Sequence, residues 1–97
     1  MSLAGRTMTI RITNKDIQNG KRRDVNQCPI ALAVNRHMKQ RGYKPFIVTF
    51  IHMFDNVEDQ GTWARLPEKA QCFVSRFDNG RPIGPFTLKV TFELKKW

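Results

Sequence analysis

The strictest constraint in this chain lies near its C-terminus. Residues 86–94 (FTLKVTFEL) alternate without a break, with Phe86, Leu88, Val90, Phe92 and Leu94 on one side and Thr87, Lys89, Thr91 and Glu93 on the other. Successive side chains of a strand point to opposite faces, so this pattern predicts an extended strand with one dry and one wet face. Residues 8–13 (MTIRIT) repeat it, with Met8, Ile10 and Ile12 inward and Thr9, Arg11 and Thr13 outward. Strands with a solvated face belong to antiparallel sheets covered on one side only. With 97 residues, of which 40% are hydrophobic, the chain has material for one modest core and one domain.

The segments between these strands carry the other period. Thr13 or Asn14 caps a short helical turn through Asp16 and Ile17, which Gly20 stops, and the loop Lys21-Arg22-Arg23-Asp24 follows. Pro29 suits a helix's first turn and Gly42 its end. At 100° per residue Ile30, Ala31, Val34 and Met38 share a face; Leu32 falls on the polar side, where it packs under the 21–24 loop or marks a subunit contact. Residues 44–54 (KPFIVTFIHMF) are apolar on both faces, as a central strand should be. Residues 55–61 read as a hairpin loop and 62–66 as its return strand. Pro67 opens a second helix with Ala70, Phe73, Val74 and Phe77 as its buried stripe, Cys72 on its polar side and Asn79-Gly80 at its close. The expected fold is α+β, a two-layer sandwich of order β-α-β-β-α-β with two helices on one face of a four-stranded, mostly antiparallel sheet. Residues 1–7 are set aside as a disordered tail or cloning remnant, leaving 8–97 as the single domain.

Charge is the most informative compositional feature. The formal net charge is +9, and residues 1–45 alone hold a net +8, against −1 for 46–84 and +2 for 85–97. Like charges gathered in one region repel, and a polyanionic partner relieves that repulsion. No apolar run reaches the roughly 20 residues a membrane helix needs, and the N-terminus lacks the apolar core of a secretory signal. Two cysteines, Cys28 and Cys72, are too few for a disulfide framework and point to a reducing compartment.

Several stretches resemble a group of small uncharacterised bacteriophage and prophage proteins. They are Asp16-Ile17-Gln18-Asn19-Gly20, Cys28-Pro29-Ile30-Ala31-Leu32-Ala33, Leu66-Pro67 with Ala70 and Phe73, and Phe77-Asp78-Asn79-Gly80 leading to Pro85-Phe86. The similarity runs over residues 8–92 in the same order. It implies a phage or mobile-element origin, and with it the cytoplasm of a bacterial host. The group has no assigned activity, so no residue role carries over; Lys21-Arg22-Arg23 and residues 44–66 lie outside the shared motifs.

The leading candidate site joins the cations Lys21, Arg22 and Arg23 to Arg36, Lys39 and Arg41 on the helix that begins at Pro29. That combination suits a nucleic-acid backbone. Two alternatives stand beside it: a contact with a host protein of acidic surface, and a nucleotide or small anion held at the helix N-terminus near Cys28. The outward Thr9-Arg11-Thr13 and Thr87-Lys89-Thr91 faces lack the aromatics of an RNA-recognition sheet, and only Trp63 could stack a base if it faces out. Cys28 precedes a helix, which favours a thiolate, yet His37 is over two turns away along the helix. No C-x-x-C, H-x-x-x-H or Gly-rich phosphate loop occurs, and Asp55, Glu58 and Asp59 read as a solvated turn rather than a calcium loop. The expectation is therefore a non-enzymatic binder without metal or cofactor. Sheet edges left open by so small a sheet also make a homodimer an expectation.

Overall fold

The structure is a computed structural model that describes residues 5–43, 45–49, 51–55 and 62–94. Its strands are β1 (Thr7–Ile12), β2 (Phe46–Val48), β3 (His52–Asp55), β4 (Thr62–Arg65), β5 (Phe86–Thr91) and β6 (Glu93–Leu94). Its helices are α1 (Asn14–Asn19), α2 (Pro29–Gln40) and α3 (Glu68–Asp78). The fold is mixed α+β, and every strand pairing among the described residues is antiparallel.

The expected single sheet of four strands is replaced by two. β1 pairs with β5 alone, while β2, β3, β4 and β6 follow one another in a second sheet. The division falls inside the unbroken 86–94 alternation, at Phe92. Its N–H donates to the Arg6 carbonyl (2.9 Å) and its carbonyl accepts from Gly5 N–H (2.7 Å), so it is the last residue held by the N-terminal strand. Glu93 and Leu94 then pair with Trp63 and Thr62. Phe92 is fully buried and its ring meets Phe46 edge-on, with centroids 5.5 Å apart. Residues 5–7, set aside as tail, are thus part of this pairing, with Thr7 opposite Thr91.

The 44–54 run also divides. A strand apolar on both faces and a tight hairpin of two short apolar strands share one composition, and here a turn separates β2 from β3. Thr49 makes that turn: its N–H and hydroxyl both donate to the His52 carbonyl (2.7 and 3.0 Å), and its hydroxyl accepts from His52 N–H (3.0 Å). The expected hairpin loop at 55–61, with Glu58 and Asp59, lies outside the described residues save Asp55 at the end of β3.

α2 lies between the two sheets and seals an outer edge of each with consecutive residues. Asn35 accepts from Phe46 N–H (2.6 Å) and donates to the Phe46 carbonyl (3.1 Å), mimicking a further strand beside β2. Arg36 donates to the Arg11 carbonyl of β1 (3.3 Å). The opposite face of α2, with Ile30, Ala31, Val34 and Met38, is buried as its periodicity predicts, together with Ala33. Leu32 is half-buried. On α3, Ala70, Phe73 and Val74 are buried, but Phe77 is half-buried and stacks parallel to Phe73. Buried residues from both sheets and from α2 and α3 form one core cluster.

Candidate nucleic-acid interface

The loop 21–28 is shaped by its own backbone bonds. Lys21 N–H donates to the Gln27 carbonyl (2.8 Å), and the Asp24 carboxylate accepts from Asn26 and Gln27 N–H (2.9 and 3.0 Å). Arg23 sits in the left-handed region (φ 57°), a conformation that costs an L-residue about 1–2 kcal/mol unless its surroundings hold it. Asp78, the last residue of α3, does so by accepting from Arg23 N–H (2.9 Å). The same contact brings Arg22 over Gly80, where a Cβ would stand 3.0 Å from the guanidinium Nη2. Gly80 itself has φ +70°, and its freedom from a side chain leaves room for Arg22.

The α3 segment that docks on the loop carries two further cations close in sequence to Asp78 and Gly80, Arg76 in the last turn of α3 and Arg81 just beyond Gly80. Sequence reasoning missed both, since they lie over fifty residues away in the chain, and only the spacing between Asp78 and the loop's backbone reveals the association. Lys21, Arg22, Arg23, Arg76 and Arg81 are all exposed. Arg22 also lies where the negative end of the α3 dipole favours a cation, which gives it a part in the fold as well as on the surface.

The six predicted cations do not form one patch. Arg36 is bound to Asp16 through both its terminal nitrogens, Nη1 to Oδ1 at 2.6 Å and Nη2 to Oδ2 at 3.0 Å. Asp16 is only 3% exposed and also accepts from the backbone and hydroxyl of Thr13 (2.9 and 3.0 Å), which completes a capping box on α1. Burial works to raise the Asp16 pKa, but the bonds from Arg36 and Thr13 prevail and hold it below the usual aspartate range. Arg36 is correspondingly raised by its hydrogen bond to Asp16. Arg36 thus ties α2 to α1 and β1, while about half of its side chain still meets solvent (46%). Lys39 and Arg41 are exposed at the C-terminal end of α2, a helix of 12 residues and so about 18 Å from the loop end. Arg41 Nη1 donates to the His37 carbonyl (3.3 Å). Burial, then the charges of Arg41 and Arg36, lower the His37 pKa, as a locally positive surface would.

The N-terminus of α2 is turned inward. Cys28, Pro29, Ile30 and Ala31 are buried, and Ala31 N–H donates to the Cys28 sulfur (3.3 Å). Burial pushes the Cys28 thiol up, opposing the thiolate that its helix-start position predicts. The small-anion alternative thus meets a filled helix end, with the Ala31 N–H already spent on the thiol.

Among the described residues no group of three or more His, Cys, Asp or Glu side chains is arranged to hold a metal ion. No helix of the described residues is long and apolar enough to cross a membrane. No family model, curated protein or solved structure matches the chain. The functional reading therefore rests on surface chemistry.

Two sheet faces complete that surface. The outer face of the β2–β3–β4–β6 sheet carries the cross-strand row Ile47, Phe54, Trp63 and Glu93. Trp63 is half-buried and meets His52 edge-on, with centroids 5.3 Å apart. The outer face of the β1–β5 sheet is made of Thr7, Thr9, Arg11, Thr87, Lys89 and Thr91, all exposed.

Proposed function

We propose that the chain binds nucleic acid through phosphate contacts made by exposed cations that form no ion pair with a carboxylate among the described residues. One observation carries this reading. Among the described residues of a chain with net charge +9, the only ion pair is Arg36–Asp16. Unpaired, exposed cations condense on a polyanion and release its counterions, a gain that falls as salt rises. The contacts come from Lys21, Arg22 and Arg23 with Arg76 and Arg81 at one end of α2, and from Lys39 and Arg41 at the other. The resemblance to phage and prophage proteins sets this activity in the cytoplasm of a bacterial host, in an accessory protein that uses no cofactor and catalyses no reaction.

A second reading has its own support. Val25 in the cationic loop and Ile51 between β2 and β3 are large apolar side chains left 41% exposed, and such residues on a cationic chain suit a host protein with an acidic surface.

Fluorescence anisotropy on labelled single- and double-stranded DNA and RNA separates the two. The expected result is binding at micromolar concentration or tighter near about 150 mM salt, weakened roughly tenfold, with a shallower salt slope, in Lys21→Ala/Arg22→Ala/Arg23→Ala. Absence of binding to all four probes at about 50 mM salt refutes the nucleic-acid reading and leaves the protein partner.

A further inference from the structure

The face with the most one-sided chemistry is not on a helix. β1 and β5 form a sheet of two strands whose outer face presents three cross-strand pairs, Thr7 with Thr91, Thr9 with Lys89 and Arg11 with Thr87. All six side chains are exposed, and they include two cations, four hydroxyls and neither an acid nor an aromatic. Two of the pairs are already oriented, by a hydrogen bond between the Thr7 and Thr91 hydroxyls (2.8 Å) and another from Arg11 Nη1 to the Thr87 hydroxyl (3.3 Å). Threonine favours strands, but a bare solvated face has no need of two cations on an already strongly basic chain.

We infer that this ribbon docks in the major groove of double-stranded DNA, which deepens the proposed function and rests on it. The dimensions agree. Two strands about 5 Å apart, with their side chains, fit a groove about 12 Å wide, and six residues at about 3.3 Å each span about 20 Å along it. So does the chemistry. Arg and Lys donate to the O6 and N7 acceptors of guanine, and Thr supplies a hydroxyl for either base edge and a methyl for thymine. The helices are less suited. Six of the twelve residues of α2 are buried against the sheets, and the exposed side of α3 includes Glu68. Duplex RNA does not fit, because its major groove is too deep and narrow to admit a ribbon. Charge sets the polarity of docking as well. Glu93 follows the Thr7–Thr91 end and lines, with Glu68, the cavity beside Lys89 and Thr91, so the duplex lies toward the Arg11–Thr87 end, on the side where Arg36 meets the Arg11 carbonyl.

The test compares the full chain with Arg11→Ala/Lys89→Ala and, separately, with Thr9→Glu, which sets a carboxylate opposite Lys89 without removing a side chain that bonds another. Each is first checked for native circular dichroism. Labelled duplex DNA, duplex RNA and single-stranded DNA serve as probes, and duplex DNA is also presented preloaded with methyl green, which occupies the major groove, or netropsin, which occupies the minor. The inference expects a preference for duplex DNA, at least about a tenfold loss of that affinity in both variants, and competition by methyl green but not by netropsin. Wild-type affinity for duplex DNA in both ribbon variants, with a loss confined to the Lys21→Ala/Arg22→Ala/Arg23→Ala variant, overturns the ribbon and leaves the proposed function standing. Equal binding of duplex RNA, competition by netropsin alone, or tighter binding of single-stranded than of duplex DNA overturns it too. Absence of binding to every probe removes both.

Discussion

Asp16→Ala should be among the most damaging substitutions at a charged position. The carboxylate closes the capping box with Thr13, which is worth about 1 kcal/mol. It also takes two charge-assisted bonds from Arg36, worth about 1.5–3 kcal/mol at full strength. Arg36 is 46% exposed and regains water when its partner is lost, so that part is discounted to about 1–2 kcal/mol. The total is about 2–3 kcal/mol, or a fall in Tm of about 10–20 °C for a chain of 97 residues. Arg36→Ala should cost about 1–2 kcal/mol, and the double variant should show a coupling of the same size, because the two residues share one interaction. Urea titrations followed by circular dichroism at neutral pH measure all three. Acid supplies a second readout. The folded Asp16 pKa lies below its ordinary value of 3.8, so its contribution is complete above that value and is lost as pH falls through the folded pKa. Wild type and Asp16→Ala should therefore converge in stability as the solution is acidified past that point. A coupling below about 0.3 kcal/mol, or curves that stay parallel into acid, would refute the structural role given to Arg36.

Other positions give equally definite expectations. Gly20→Ala should destabilise by about 1–3 kcal/mol in thermal melts although its φ of −71° suits any residue, because the new Cβ would stand 2.6 Å from the Pro29 ring. Asn35→Leu leaves Phe46 N–H and carbonyl unpaired at the β2 edge and should cost about 2 kcal/mol, whereas Asn35→Asp, which keeps the acceptor, should cost less; urea titration of both variants tests the order. Under a thiol-reactive chromophore, native protein should titrate only the exposed Cys72 rapidly, with Cys28 following the rate of unfolding; two equally fast thiols would contradict its burial.

The helices were legible because caps and periodicity are local. Thr13, Pro29, Pro67 and the stripes behind them mark α1, α2 and α3 to within a residue or two. The sheets were less so. Period-2 alternation says which face a residue takes but not which strand pairs with it, so the change of partner at Phe92 leaves no mark in FTLKVTFEL. The doubly apolar 44–54 run likewise conceals the Thr49 turn, visible only as a hydroxyl able to bond backbone. Among the site residues, the exposure of Lys21, Arg22, Arg23, Lys39 and Arg41 follows from polarity, while the fate of Arg36 depends on Asp16 twenty residues earlier. The end of α3, with Arg76 and Arg81 on either side of Asp78, docks on the loop where Asp78 holds Arg23. Sequence separation hides such pairings, since nothing local distinguishes a cation with a partner from one without.

The central claim is that this charge is left unneutralised for a polyanion, and the salt dependence of wild-type binding to duplex DNA tests it most directly. Seven phosphate contacts predict that log K falls against log salt with a slope of about −6. A slope near zero, or no binding at about 50 mM salt, would contradict it.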